Sequence, residues 1–110
     1  MAAVEALGSA DPLDAAQWLV IRGTLREADL LPLLERTADA GRGDVTLDLF
    51  NLETLTPGGC WTIRNLADAL WGQGRRLTVV FRGGEPIGDV LRTTGTFDHP
   101  RVAFQGSTPN

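Results

Sequence analysis

The chain has 110 residues, of which 43% are hydrophobic and 22% charged, and its formal net charge is −4. This length and composition predict one folded domain with its own hydrophobic core and exclude wholesale disorder. The acidic balance argues against a nucleic-acid-binding protein, which would need a basic stripe.

The first part of the chain is predicted to contain a strand and a helix. Ala2–Leu7 is either a short edge strand or a loose tail. The compact apolar run Trp18–Gly23, which ends on a glycine, predicts a buried strand. Asp29 is the expected N-cap of an amphipathic helix, which the glycines at positions 41 and 43 should end.

The middle of the chain contains its most informative segment. Alternating apolar and polar residues predict a strand over Asp44–Phe50, followed by a short polar loop. Thr56–Gly59 then starts a helix that runs to about Gly72. Its predicted core face consists of Ile63, Leu66, Ala67 and Leu70. Because the first N–H groups of a helix are unpaired and attract negative charge, this loop and helix start are the expected working site.

The remaining elements repeat the same alternation of strand and helix. A strand is predicted over Arg76–Phe81, a short helix from Pro86 to Gly95, and a last strand over Arg101–Phe104. Short connections between such elements predict an α/β fold. It should have a mostly parallel sheet of four to five strands, with helices packed against it through right-handed crossovers.

The domain is expected to span residues 17–105, with an N-terminal segment over 1–16 and a tail over 106–110. The only cysteine, Cys60, cannot form an internal disulfide or a zinc site by itself. The N-terminal residues resemble no signal peptide, and no run approaches the roughly 18 apolar residues that span a bilayer. We therefore expect a cytoplasmic protein with no cofactor and no membrane insertion.

Three segments carry a resemblance to a known family. They are Leu19–Leu25, Val45–Leu49 with Leu52, Leu55 and Gly59 after it, and Val90–Gly95. They resemble, in this order and spacing, the Gly-x-Leu strand end, the central strand, loop and helix start, and the Val-Leu-x-x-Thr-Gly helix end of the STAS domain. This family includes bacterial anti-sigma-factor antagonists and the cytoplasmic tails of sulfate transporters. The likeness covers roughly Trp18–Phe104 and implies a single STAS-like domain.

The loop before the middle helix departs from the family pattern. In the antagonists it reads Asp-Ser-Ser-Gly, and the serine next to the glycine is phosphorylated by the anti-sigma kinase. Thr56, Pro57 and Gly58 occupy the first three of these positions, and the only serines are Ser9 and Ser107. The resemblance therefore implies a module that serine phosphorylation does not switch. Thr56 is either a possible alternative phosphate acceptor or a threonine that caps the helix.

The expected partner surface is this loop with the exposed side of the helix. Its residues are Thr56, Pro57, Gly58, Gly59, Trp61 and Arg64. At about 100° per residue, Trp61 lies opposite the core face and beside Arg64. An exposed tryptophan here would be an interface anchor, and the alternative is a ring folded over a neighbouring loop. Cys60 and Trp71, at the edge of the core face, are expected to pack inside.

The resemblance implies a non-catalytic regulatory module that binds a partner protein. By the same resemblance, the partner is an anti-sigma factor with a serine-kinase-type ATP-binding fold. The alternative is a STAS subunit that docks on the ATPase of an ABC transporter. An enzyme would need a nucleophile and a base within reach, and the sequence offers no such pair. His99 is the only histidine and has no second candidate ligand nearby, so no metal site is expected.

Overall fold

The computed structural model of the chain describes residues 3–7, 16–39, 43–82 and 86–107. The strands are β1 (Ala3–Leu7), β2 (Gln17–Leu25), β3 (Val45–Asp48), β4 (Leu52–Leu55), β5 (Leu77–Arg82) and β6 (Val102–Ser107). The helices are α1 (Leu30–Asp39), α2 (Pro57–Gly72) and α3 (Pro86–Thr93), with 3-10 turns at Glu27–Asp29 and Thr96–Asp98. This alternation of strands and helices confirms the predicted α/β class.

One mostly parallel sheet organises the fold. Its continuous part has the order β1-β2-β3-β5-β6, and β4 pairs with β2 outside this path. Among the described strands, only β1 runs antiparallel to its neighbour. Along the continuous part, the chain steps in the same direction from β2 to β3, β5 and β6, so right-handed crossovers place the helices on one face. Accordingly, α2 and α3 both pack against β5, and α1 packs against α2.

The mostly parallel sheet agrees with the prediction, but the described residues form six strands, because β4 lies where the sequence predicts a loop. β2 pairs with β3 along its first half and with β4 over Gly23–Leu25. The register shifts after Gly23, whose φ of 80° suits a residue without a side chain. Since α2 follows β4 directly, this change of partner brings the end of β2 beside the start of α2.

The core lies between the sheet and the helix layer. Leu19, Leu47 and Val79 stand side by side in the strand register and are each 0% exposed. Their neighbours one residue earlier point to the opposite face, because side chains alternate along a strand. That face includes Trp18, which is 41% exposed and donates its indole N–H to Asp48 over 3.1 Å.

The helix α2 forms and ends as its sequence predicts. Its predicted core residues are all buried: Ile63, Leu66, Ala67 and Leu70. After Gly72 the chain turns in a Schellman motif, with Gly74 in the left-handed region at φ 73°. The Gly74 N–H donates to the Trp71 carbonyl over 3.0 Å, and the Arg75 N–H to the Leu70 carbonyl over 2.9 Å.

Some predicted boundaries differ from the structure or lie outside it. Asp29 is not an N-cap but belongs to the 3-10 turn before α1, where its carboxylate accepts from the Arg26 N–H over 2.8 Å. β6 continues to Ser107, beyond the predicted end of the domain at 105. Residues 8–15, the predicted helix end at Gly41, and residues 108–110 lie outside the described ranges. The exact domain limits therefore stay predictions. In the described part of the chain, no helix has the length and apolarity to cross a bilayer.

Candidate partner-binding site

The start of α2 is fastened to the end of β2 by Thr56. Its backbone N–H and its hydroxyl both donate to the Leu25 carbonyl, over 3.3 Å and 2.9 Å. The same hydroxyl oxygen accepts from the Gly59 N–H over 3.0 Å. Thr56 is therefore the N-cap of α2, and it satisfies one of the helix's unpaired donors.

A second hydroxyl continues this attachment in the second turn of α2. Thr62 is fully buried, and its hydroxyl donates to the Arg26 carbonyl over 2.9 Å. The first two turns of α2 thus hold the carbonyls of two consecutive residues at the end of β2. This part of the helix is fixed by short polar side chains, none of which is charged.

The two glycines of the predicted site have different surroundings. Gly59 is buried, and a Cβ added there would stand 2.3 Å from the Leu25 carbonyl oxygen. Gly58 is half-buried, and its Cβ would stand 3.0 Å from the Cβ of Glu27. The backbones of α2 and β2 can approach this closely only because position 59 has no side chain. Of the pair, Gly59 is the one that the packing requires.

Pro57 and Trp61 are the parts of the predicted site that face outward. Pro57 is exposed, and Trp61 is 41% exposed, which agrees with its predicted position opposite the core face. An open depression of about 450 Å³ lies beside the start of α2. It is lined by Arg26, Glu27, Ala28, Thr56 and Gly58.

Arg64 points to a neighbouring turn of the same chain. The residue is half-buried, and its Nη1 donates to the Thr96 hydroxyl over 3.1 Å and to the Thr94 carbonyl over 3.4 Å. The two threonine hydroxyls lie 2.7 Å apart. Arg64 thus ties α2 to the turn after α3, and its predicted role in partner binding stays a prediction. Sequence reasoning missed these bonds because about thirty residues separate the groups.

Trp71 was expected to pack inside. This prediction is wrong, because Trp71 is 48% exposed. The guanidinium of Arg101 lies over its ring, 5.7 Å from the ring centroid. Asp68 joins the same group through its Oδ1, which is 3.5 Å from Arg101 Nη1 and 3.2 Å from His99 Nε2. The outer face of α2 therefore has a tryptophan near each end, and the second one has a cationic neighbour.

Cys60 and His99, the two side chains considered above as metal ligands, make contacts within the fold. Cys60 is fully buried, as predicted, with its Sγ 4.0 Å from the Val90 carbonyl oxygen. His99 accepts the Arg101 backbone N–H at Nδ1 over 3.1 Å. Among the side chains that the structure describes, no three His, Cys, Asp or Glu residues form a group that could hold a metal. What the start of α2 offers is a small depression, whose lining includes the exposed Arg26 and Glu27, next to the exposed ring of Trp61.

Comparison with known proteins identifies the fold. No protein-family profile matches the sequence, and no curated protein matches it. A crystal structure of an uncharacterized protein of the DUF3478 family, from Shewanella loihica PV-4, is similar in fold and is described as SpoIIAA-like. The TM-score is 0.53 at 18% sequence identity, over 96% of this chain and 84% of that chain. The chain therefore has a SpoIIAA-like fold of the STAS type, as the resemblance of its sequence predicts.

Proposed function

We propose that the chain is a non-catalytic binding module that docks a partner protein on the start of α2. The observation that carries the proposal is the exposed Trp61 next to a helix start whose depression contains no bulky side chain at position 58. A half-exposed tryptophan beside a concave surface is the usual form of an interface anchor. The SpoIIAA-like fold supports a module of this general kind.

The proposed module is not switched by phosphorylation at this site. Gly58 has no hydroxyl, and the Thr56 hydroxyl already donates to Leu25 and accepts from Gly59. A phosphate on Thr56 would remove the hydroxyl proton that binds the Leu25 carbonyl. It would also crowd the half-buried cap with about two negative charges. Phosphorylation there would therefore oppose the packing of α2 on β2.

For the partner, we propose an anti-sigma factor with a serine-kinase-type ATP-binding fold, which follows from the resemblance to the antagonists. The alternative is the ATPase of an ABC transporter with this chain as a small subunit. Gly58 and the engaged Thr56 favour the alternative, because a permanent subunit has no need of a phosphorylation switch. For either partner the docking residues would be Pro57, Gly58 and Trp61.

The two exposed tryptophans of α2 allow a matched test. Wild-type chain, Trp61→Ala and Trp71→Ala are each used as bait, and the recovered proteins are identified by mass spectrometry. We then measure the affinity of the purified partner for each chain by calorimetry. Trp61→Ala should raise the dissociation constant roughly thirtyfold, the effect of losing an interface anchor, and Trp71→Ala should change it less than threefold.

The identity of the recovered ATPase decides between the two partners. Equal affinities of the two variants would contradict the docking site, because both side chains are similarly exposed on the same helix. The recovered partner is also incubated with ATP and the wild-type chain, followed by peptide mapping. Phosphate on Thr56 would contradict the proposal that phosphorylation does not switch this module.

A further inference from the structure

β6 is the last strand of the described sheet, and one side of its backbone has no strand beside it there. The neighbouring ladder shows which groups face that side. Val45 and Leu49 of β3 donate their N–H groups to the carbonyls of Arg76 and Val80. The even-numbered residues of β5 therefore turn their backbone groups to β3, and the odd-numbered ones turn theirs to β6.

The register then identifies the free groups of β6. Val79 of β5 lies opposite Phe104, so Val79 bonds with the residues on either side of Phe104. The backbone N–H and carbonyl of Phe104, and those of Gly106, consequently point away from the sheet. Such a row of polar groups is a template for pairing with another strand.

The free edge lacks the features that usually prevent pairing. Val102–Ser107 contains no charged residue and no proline, whereas natural edge strands are commonly protected by lysine, proline or a bulge. β1, the strand at the opposite end of the continuous part of the sheet, has Glu5 at its centre.

Aromatic side chains lie along the helix side of the same edge. Phe97 is 36% exposed, and its ring centroid is 4.9 Å from that of the half-buried Phe104, in an edge-to-face arrangement. Phe81 completes the group at 5.5 Å from Phe97 and 6.3 Å from Phe104. An apolar patch therefore accompanies the unpaired backbone groups.

We infer that β6 pairs antiparallel with β6 of a second copy of this chain, around a two-fold axis at Phe104. The two Phe104 residues then exchange N–H···O bonds. Each Gly106 N–H meets the Val102 carbonyl of the other copy. The Val102 N–H already donates to the His99 carbonyl over 3.4 Å and takes no part.

A second copy fits this edge because the strand is complementary to itself in that arrangement. Phe104 lies opposite Phe104, so the two aromatic patches join on the helix side. On the other side Ala103 lies opposite Gln105 of the second copy, and no like charges meet. The short strand buries less surface than a standard interface, so we expect a reversible dimer with a dissociation constant on the order of 0.1 mM.

Sedimentation equilibrium from about 10 µM to about 1 mM tests the inference without any partner protein. Two double variants change only exposed side chains on the face away from the helices. Ala103→Lys with Gln105→Lys places like charges opposite each other across the axis, and Ala103→Lys with Gln105→Glu places opposite charges there. The first should weaken the dimer roughly tenfold and the second should strengthen it by a similar factor.

Amide hydrogen exchange gives an independent readout at the backbone. In the wild type, exchange at Phe104 should slow as the concentration rises, while exchange at Gln105, which bonds to β5, should be slow throughout. A wild type that stays monomeric at about 1 mM would overturn the inference, as would equal dimerisation of the two charge variants. Trp61→Ala should leave the dimer unchanged, so this test and the test of partner docking fail separately.

Discussion

The two ends of α2 are attached to the rest of the fold by opposite means. At its start, two threonine hydroxyls hold the carbonyls of Leu25 and Arg26, and Gly59 lets the backbones meet. Just after its end, the long side chain of Arg75 is 3% exposed and holds backbone carbonyls with a charged guanidinium. The comparison shows that the start of α2 is held by neutral hydroxyl groups, whereas the turn after its end is held by a buried cation.

The guanidinium of Arg75 donates to groups of four residues. Its Nε donates to the Gly43 carbonyl over 2.8 Å and its Nη1 to the Thr37 carbonyl over 2.9 Å. Further bonds reach Gln73 over 3.2 Å and Gln17 over 3.4 Å. Burial lowers the pKa of Arg75, and the nearby Asp44 carboxylate opposes that shift. One side chain thus joins the ends of α1 and α2 to the starts of β2 and β3.

The largest effect is expected from removing that guanidinium. Arg75→Met keeps much of the apolar stem but leaves the Thr37 and Gly43 carbonyls without their donors, and each lost partner costs about 1 to 3 kcal/mol. We expect the free energy of unfolding, measured by urea denaturation, to fall by about 4 kcal/mol. Arg76→Met is the control, because Arg76 is exposed and should change stability by less than about 0.5 kcal/mol. Similar losses for both variants would contradict the role given to Arg75.

The second-largest loss of stability is expected from Gly59→Ala, and it should clearly exceed the loss from Gly58→Ala. Gly59→Ala places a methyl group 2.3 Å from a backbone oxygen that cannot move independently of β2. We expect a loss of about 3 kcal/mol in the same denaturation experiment. In Gly58→Ala, the added methyl group would stand 3.0 Å from Glu27 Cβ and 3.2 Å from Glu27 N, and the better helix propensity of alanine offsets part of this closer packing, so the loss should be about 1 kcal/mol. Equal losses would mean that the close approach of α2 and β2 is not decisive.

The smallest effect concerns the cap. Thr56→Ala removes the hydroxyl that binds both Leu25 and Gly59, and the loss of an N-cap costs about 1 to 2 kcal/mol. Thr56→Ser keeps the hydroxyl and should retain most of that stability. If alanine and serine give the same unfolding midpoint, the cap contributes nothing measurable, and the argument against phosphorylation of Thr56 loses its support.

Much of the fold could be predicted, because its signals are local. Strand and helix periodicity place α2 and its core face, and the glycines after it place its end. The exception among the strands is β4, where only Leu52 and Leu55 are buried, so the alternation of a half-buried strand is missing. The backbone of β2 pairs with β3 only as far as Val20. Its N–H and carbonyl groups over Gly23–Leu25 pair with β4 instead, which satisfies their hydrogen bonds.

The candidate site was only partly predictable. Trp61 is exposed as its helical position predicts, but Trp71 is exposed against expectation, because the helix position at the edge of the core face does not show what lies beside it. Arg64 falls near the exposed side of α2 in sequence, yet turns back to Thr96. Both cases depend on segments about thirty residues away.

The sequence by itself determined the order of elements, the apolar face of α2, and the absence of a serine before its glycines. Only the tertiary structure decided that Gly59 is the required glycine and that Thr56 and Arg75 hold the two ends of α2. It also decided that, within the described sheet, one side of the β6 backbone has no strand beside it. The physical reason is that propensity and periodicity act between near neighbours. Close packing and hydrogen bonding, in contrast, join groups that meet only once the chain has folded.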